Sequence, residues 1–114
     1  MKTDKTLLSG NTSMLLLSLL QDRDMYGYEM VEELARRSDD TFKLKEGTLY
    51  PLLHTLEKEN FVKSYTTKTP GGRDRKYYQL TDAGRAELEC RTEEWRNYTE
   101  KVSAVLRFSA PATQ

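Results

Sequence analysis

Cysteine, histidine and tryptophan each occur once in this chain of 114 residues, and proline three times. A lone thiol, Cys90, makes no disulfide within the chain. Cys90 and His54, the single imidazole, lack the spacing of metal ligands, so no metal site is expected. Long apolar runs are missing too. The longest, Met14 to Leu20, spans seven residues and is interrupted by Ser18. It is too short to cross a bilayer and lacks the flanks and cleavage site of a secretory signal. These absences predict a cytoplasmic protein with no membrane partner. Internal repeats and low-complexity tracts are absent. So are a nucleophile–base pair, a carboxylate dyad, a phosphate loop and a metal cluster, which excludes an enzyme and implies no cofactor.

Net charge is also missing: 18 Lys and Arg balance 18 Asp and Glu. That argues against a protein that coats nucleic acid indiscriminately. What is present is an uneven distribution. Residues 1 to 40 carry a net of −3, residues 41 to 80 a net of +4, and residues 81 to 114 a net of −1. The composition, 37% hydrophobic and 32% charged, suits one globular domain with a modest core that a second copy would enlarge.

The leucine-rich stretch from Asn11 to Leu20 predicts a first helix, capped by Asn11 or Thr12 and buried on more than one side. A second is expected over Met25 to Arg37, with Tyr26, Met30, Val31 and Leu34 on its inner stripe. Gly27 within it points to close packing against another element. In the third, Leu49, Leu52, Leu53 and Leu56 fall at the spacing of one apolar face. A cap at Gly47 or Thr48 would place Pro51 at the end of the first turn, where a missing amide costs little. Asn60, which tolerates left-handed geometry, should end that helix.

Phe61 to Thr67 has strand composition, "TPGGRD" is a strong turn signal, and "RKYYQL" (75–80) turns Tyr78 and Leu80 inward. The two segments predict a hairpin with a basic tip. "LTDAG" opens a last helix with Thr81 as N-cap and Asp82 suited to the helix dipole, running to about Arg107. Along it Leu88, Trp95 and Val102 recur every seven residues, as do Arg91, Tyr98 and Val105. That is a heptad-like seam on a helix too long for this small domain to cover.

The third helix's opposite face carries Gly47, Pro51, His54 and Lys58, flanked by Thr48, Tyr50 and Thr55. Three helices, the third with a polar outward face, followed by a basic hairpin, make a winged helix-turn-helix. In that fold one helix enters the major groove and the wing touches the backbone. Tyr50, His54, Thr55 and Lys58 are candidates for bases and phosphates, with Lys45 just ahead of them. Thr48 would offer its hydroxyl and the helix-start amides to a phosphate. Arg73, Arg75 and Lys76 would straddle the backbone from the wing. The plainer alternatives are a solvated helix face, a surface histidine at His54 and a solubilising turn.

Four stretches, "MYGYEM" (25–30), "GTLYPLLHTLEKEN" (47–60), "GGRDRKYYQLTDAG" (71–84) and "EEW" (93–95), resemble the PadR family of bacterial transcriptional regulators in order and spacing. The likeness covers about residues 7 to 107. It implies a mainly α fold with a small β-hairpin: a winged helix-turn-helix over residues 1–80, a C-terminal dimerisation helix over 81–107 and a flexible tail over 108–114. The single long last helix resembles the short-tailed branch, whose members often sense drugs or small aromatic compounds. Tyr26 and Tyr28 match the family's paired tyrosines, one of which would reach a phosphate through its hydroxyl. Asn60 stands where the family usually has glycine. Thr99, with Glu100 beside it, stands where drug-sensing members carry an acidic residue.

The expectation is a homodimeric repressor on a palindromic operator, released by an aromatic ligand or a stress signal. Met14, Leu88, Trp95, Tyr98, Thr99, Val102 and Leu106 would form the dimer seam and a central pore. There Trp95 would pack the dimer, and Trp95 from both copies could also stack a flat aromatic ligand; the plainer alternative is core or dimer packing alone. The rivals are a winged-helix protein–protein adaptor that does not touch DNA, and a small-molecule carrier built on the tryptophan pore.

Overall fold

The computed structural model describes residues 5–108, with side chains described from Asn11 onward. Its elements run α1 (Lys5–Asp22), β1 (Met25–Tyr26), α2 (Gly27–Arg37), α3 (Glu46–Lys58), β2 (Val62–Lys68), β3 (Asp74–Leu80) and α4 (Asp82–Leu106).

α1 buries leucines around most of its girth. Leu16 and Leu17 are fully buried and Leu19 and Leu20 nearly so, because α2, α3, the sheet and α4 all lean on this helix. It starts earlier than expected. Asn11 and Thr12 lie inside it rather than capping it, and Thr12 is fully buried. Burial against the fold here outweighs the local capping preference of these residues.

The expected start of the second helix is corrected as well. Met25 and Tyr26 form a short strand, and α2 begins at Gly27. β1 pairs antiparallel with β3, Met25 opposite Tyr78 and Tyr26 opposite Tyr77, so the sheet has three strands in the order β1-β3-β2. Tyr26 is therefore an N-cap, outside the inner stripe, while Met30 and Leu34 are buried as expected. Glu29 Oε1 accepts from the Tyr26 amide at 3.2 Å, the carboxylate half of a capping box.

α3 buries Leu49, Leu53 and Leu56 and half-buries Leu52, the apolar face read from the spacing. Its cap is Lys45, whose carbonyl accepts from the Thr48 and Leu49 amides, each at 2.9 Å. Gly47 and Thr48 thus belong to the first turn, and Pro51 falls on the second turn rather than at the end of the first. A proline there forfeits the bond to the carbonyl of Gly47. Gly47 is exposed, so water can serve that carbonyl. Asn60 ends the helix in left-handed geometry at φ 65°. The Phe61 amide donates back to Leu56 O (2.9 Å) and the Asn60 amide to Glu57 O (3.0 Å), which is a Schellman closure.

The hairpin is as expected, with Tyr78 and Leu80 buried and Gly72 at φ 83° in its turn. Thr81 caps α4, its hydroxyl oxygen accepting from the Gly84 amide at 2.9 Å and its hydroxyl donating to Asn60 O at 2.7 Å. Gly84 is obligatory: a Cβ there would collide with the backbone carbonyl of Phe61. α4 packs on α1 through Leu88 and runs on past the fold, ending in a second Schellman closure at Arg107 (φ 63°). The expected tail lies, from residue 109 on, outside the described residues.

Candidate nucleic-acid interface

With its leucines committed inward, α3 turns Thr48, Tyr50, His54, Thr55 and Lys58 outward, and Lys45 stands exposed at its cap. Space around Gly47 is open, with no heavy atom within 4 Å of where a Cβ would be, so the first turn offers bare backbone to an approaching surface. These exposed groups are not equally free. The Thr55 hydroxyl donates to its own helix at Pro51 O, 3.0 Å away. Tyr50 is 44% exposed, but its hydroxyl lies against Gly27 of α2, where a side chain larger than hydrogen would strike it. Partial burial raises the Tyr50 phenol's pKa, with the negative charge of Glu46 and neighbouring Tyr78 adding to it. Tyr50 is thus a spacer between α2 and α3 as well as a surface group. Glu46 is the first helical residue, so a carboxylate already sits at the dipole's positive end where Thr48 was expected to receive a phosphate.

The wing brings Arg73 and Lys76 to the surface, while Arg75 is half-buried. At its tip Lys68 pairs with Asp74 at 3.1 Å. The Arg75 guanidinium lies 4.1 Å from the centre of the Tyr26 ring, and the Lys76 ammonium 5.5 Å from that of Tyr78. Wing and helix are tied by the Ser64 hydroxyl, which donates to Glu57 Oε2 at 2.6 Å, from β2 to α3. Sequence reasoning missed Glu57, Ser64, Asp24 and Tyr65. Each acts through a partner that only strand register brings near.

A second candidate region lies along α4. A cavity of about 330 Å³ between α1 and α4 is lined by Asn11, Met14, Arg91, Glu94, Trp95 and Tyr98. The rings of Trp95 and Tyr98 stand 6.0 Å apart, tilted by 34°. Met14, Trp95 and Tyr98 were expected here; Asn11, Arg91 and Glu94 were not. Arg91 is held to Glu87 at 2.6 Å. Thr99 does not line this cavity, and its hydroxyl donates to Arg96 O at 3.0 Å. Leu88 is only 3% exposed, so it belongs to the chain's own core rather than to an outer seam. Further along, Tyr98, Val102, Val105 and Leu106 line a shallower apolar groove with Lys101. Among the described residues no group of His, Cys, Asp and Glu could hold a metal ion, and no helix is long and apolar enough to cross a membrane.

Three helices, a β-hairpin paired to a short strand and a polar outward face on the third helix define a winged helix-turn-helix protein. Residues 16–90 match the model of the transcriptional regulator PadR-like family, and the chain belongs to that family, whose members are regulators rather than enzymes. Its fold is similar to a solved transcriptional regulator from Clostridium thermocellum, with a TM-score of 0.80 at 32% identity, covering 94% of this chain and 98% of the other. Transcriptional regulator Rv3488 of Mycobacterium tuberculosis is 36% identical over 85 residues, covering 75% of this chain and 73% of that protein. The negative transcriptional regulator PadR of Bacillus subtilis is 30% identical over 73 residues, covering 64% of this chain and 40% of its own length.

Proposed function

We propose that the chain is a sequence-specific DNA-binding repressor of the cytoplasm, acting as a homodimer on a palindromic operator. The winged unit of residues 1–80 reads the DNA, and the helix over residues 81–107 joins two copies. α3 enters the major groove with His54, Lys58 and the bare turn at Gly47 foremost. Lys45 and the wing cations Arg73, Arg75 and Lys76 hold the phosphates. Two copies would set their groove helices about one turn of duplex apart, near 34 Å. The observation that carries this reading is the exposed polar face of α3, flanked by a basic wing, in a member of a regulator family. Repression, as opposed to activation, is supported by the negative regulator among its relatives.

The dimer is supported by the second half of α4, where Trp95, Tyr98, Val105 and Leu106 are all exposed in the single chain. A flat aromatic effector would sit between α1 and α4 against Trp95. It would release DNA by favouring one angle between the two winged units over another. An acidic face on α2 would suit a protein partner instead, but Glu33 of α2 is engaged by Arg36 and Arg37, and Asp22 at the end of α1 by Arg37, so part of that charge is satisfied within the chain.

Titration of the duplex upstream of the protein's own gene, at several salt concentrations, tests the reading. Lys58→Ala and Arg73→Ala should each weaken binding, and each lost phosphate contact should lower the salt slope by about 0.9. An unchanged slope and affinity in both variants would reject the assignment.

A further inference from the structure

The outer face of the sheet carries a row of aromatic rings that burial does not account for. Tyr26, Tyr77 and Tyr65 stand side by side across β1, β3 and β2, because Tyr77 is opposite Tyr26 on one side and Tyr65 on the other. Tyr26 and Tyr77 meet edge to face, with centroids 5.5 Å apart at 73°, and Tyr77 and Tyr65 are stacked at 5.7 Å and 10°. Both are favoured geometries for ring quadrupoles. The Tyr65 hydroxyl reaches back over the central strand and donates to Asp24 Oδ2 at 2.6 Å, and the Gln79 amide donates to the same oxygen at 3.2 Å. Asp24 lies two residues before Tyr26, so the contacts form a closed circuit that fixes the Tyr26 ring.

That ring carries a cation. Arg75 lies two residues before Tyr77 on the same face of β3, and its guanidinium crosses to the Tyr26 face at 4.1 Å. No ion pair engages Arg75 among the described residues, so its charge remains available to a phosphate. Lys68 at the tip is paired to Asp74, and Arg73 is exposed without an aromatic platform. Ordering a long side chain on binding costs affinity, and a planar guanidinium already held in place loses less.

We propose that Tyr26 is a positioning residue whose ring, fixed by the Tyr77–Tyr65–Asp24 circuit, holds the Arg75 guanidinium ready for a DNA phosphate. The inference rests on the DNA-binding reading above and deepens it. The Tyr26 hydroxyl, a phosphate contact on the family resemblance, has no part in it, and the ring face does the holding.

The test is anisotropy titration of the same upstream duplex at several salt concentrations, with the melting temperature of each variant measured alongside. Tyr26→Phe keeps the ring and should bind like the wild type. Tyr26→Leu should bind about threefold to tenfold more weakly, with a salt slope lower by up to about 0.9. Combined with Arg75→Ala, Tyr26→Leu should add no further loss. Asp24→Asn, which loosens the circuit without touching Tyr26, should weaken binding in the wild type but not in the Arg75→Ala background. It also serves if Tyr26→Leu fails to fold. Without DNA, the Arg75 side-chain protons should be shifted upfield by the ring in the wild type and Tyr26→Phe, and not in Tyr26→Leu. Equal losses in Tyr26→Phe and Tyr26→Leu would overturn the proposal in favour of a direct hydroxyl contact. Additive losses, or no upfield shift in a protein that binds DNA, would overturn the positioning role alone. A wild type with the shift but no salt-dependent binding would overturn the DNA reading and this inference with it.

Discussion

The two ends of the molecule solve the burial problem differently. From Asn11 to the start of α4, the leucine faces find their cover within the chain: α3 buries Leu49, Leu53 and Leu56, and α1 closes over the sheet with Leu16 and Leu17. The second half of α4 finds little among the described residues. Trp95 is 43% exposed and Val102 36%, on the stripe that Leu88 begins inside the core, and Val105 beside that stripe is 80% exposed. One helix thus passes from a self-sufficient core into a face that only another molecule can dry. Apolar stripes of that kind on a single chain mark interaction surfaces. The winged unit depends on intramolecular packing, so its stability should not vary with concentration, whereas the α4 stripe should make association do part of the work.

The largest effect that would break this contrast is expected at Gly84. Any Cβ there meets the Phe61 carbonyl, a backbone atom with little room to move. Gly84→Val should cost about 3 kcal/mol or more by urea unfolding, at any protein concentration. A stable Gly84→Val protein would show that the α4–β2 junction is looser than described. Next comes the uncovered stripe. Val105→Asp with Leu106→Asp should convert a dimer into monomers by sedimentation while leaving the helical circular dichroism largely intact, since neither side chain is buried in the single chain. A dimer that survives the pair would place the seam elsewhere.

A smaller effect of opposite signs is expected at Gly47. With open space around it, Gly47→Ala should stabilise the fold by up to about 1 kcal/mol through helix propensity. On the proposed docking the same methyl should weaken DNA binding, because it would stand between the backbone of the first turn and the groove. The comparison with Gly84 separates a glycine needed by the fold from one suited to an interface.

The smallest effects are pH dependences confined to the winged unit. Hydrogen bonds from Arg36, and then Arg37, outweigh desolvation and hold the Glu33 carboxyl down at about 2, against 4.5 ordinarily. Its stabilisation is therefore full above about 4.5 and is lost as pH falls toward about 2. Glu33→Gln should flatten thermal stability across that window, lowering it slightly at neutral pH and leaving it little changed near pH 2. The hydrogen bond to Asp24, with some desolvation, pushes the Tyr65 phenol up to about 12 from 10.0. Its contribution is intact below 10.0 and is lost as pH rises toward about 12. An ultraviolet titration of the 7 tyrosines should show late phenols at Tyr65 and Tyr50, and Tyr65→Phe should remove the first of these while leaving the second.

Much of this was legible from local pattern. The leucines of α3 declared their face, "TPGGRD" its turn, Thr81 its cap and Asn60 its left-handed stop, because each depends on residues within a few positions. β1 was not legible. Met25 and Tyr26 are two residues without strand punctuation, and their partners Tyr77 and Tyr78 lie in another part of the chain. The start of α1 was misplaced because Asn11 and Thr12 prefer caps locally but are overruled by burial. Pro51 was read as the harmless end of a first turn, one cap position being enough to shift it into the second. At the candidate interface the exposed residues of α3 were named correctly as a face, but not which were occupied. That Thr55 turns to its own helix and Tyr50 to Gly27 depends on side-chain rotamers and on the crossing of two helices. Asn11 and Glu94 joined Trp95 in one cavity only because α1 and α4 lie together.

By itself the sequence determined periodicity: which faces are apolar, where the third helix stops, where the hairpin turns, where the last helix starts, and that a basic middle third lies on the third helix and wing. These follow from backbone preference and the short-range pattern of water-avoiding side chains. Only the tertiary structure decided which exposed groups are already engaged, that a third strand joins the wing, and that Tyr26, Tyr77, Tyr65 and Asp24 close a circuit beneath Arg75. Such contacts join residues far apart along the chain. Strand register and helix crossing bring them within a few ångströms, and no local preference encodes either.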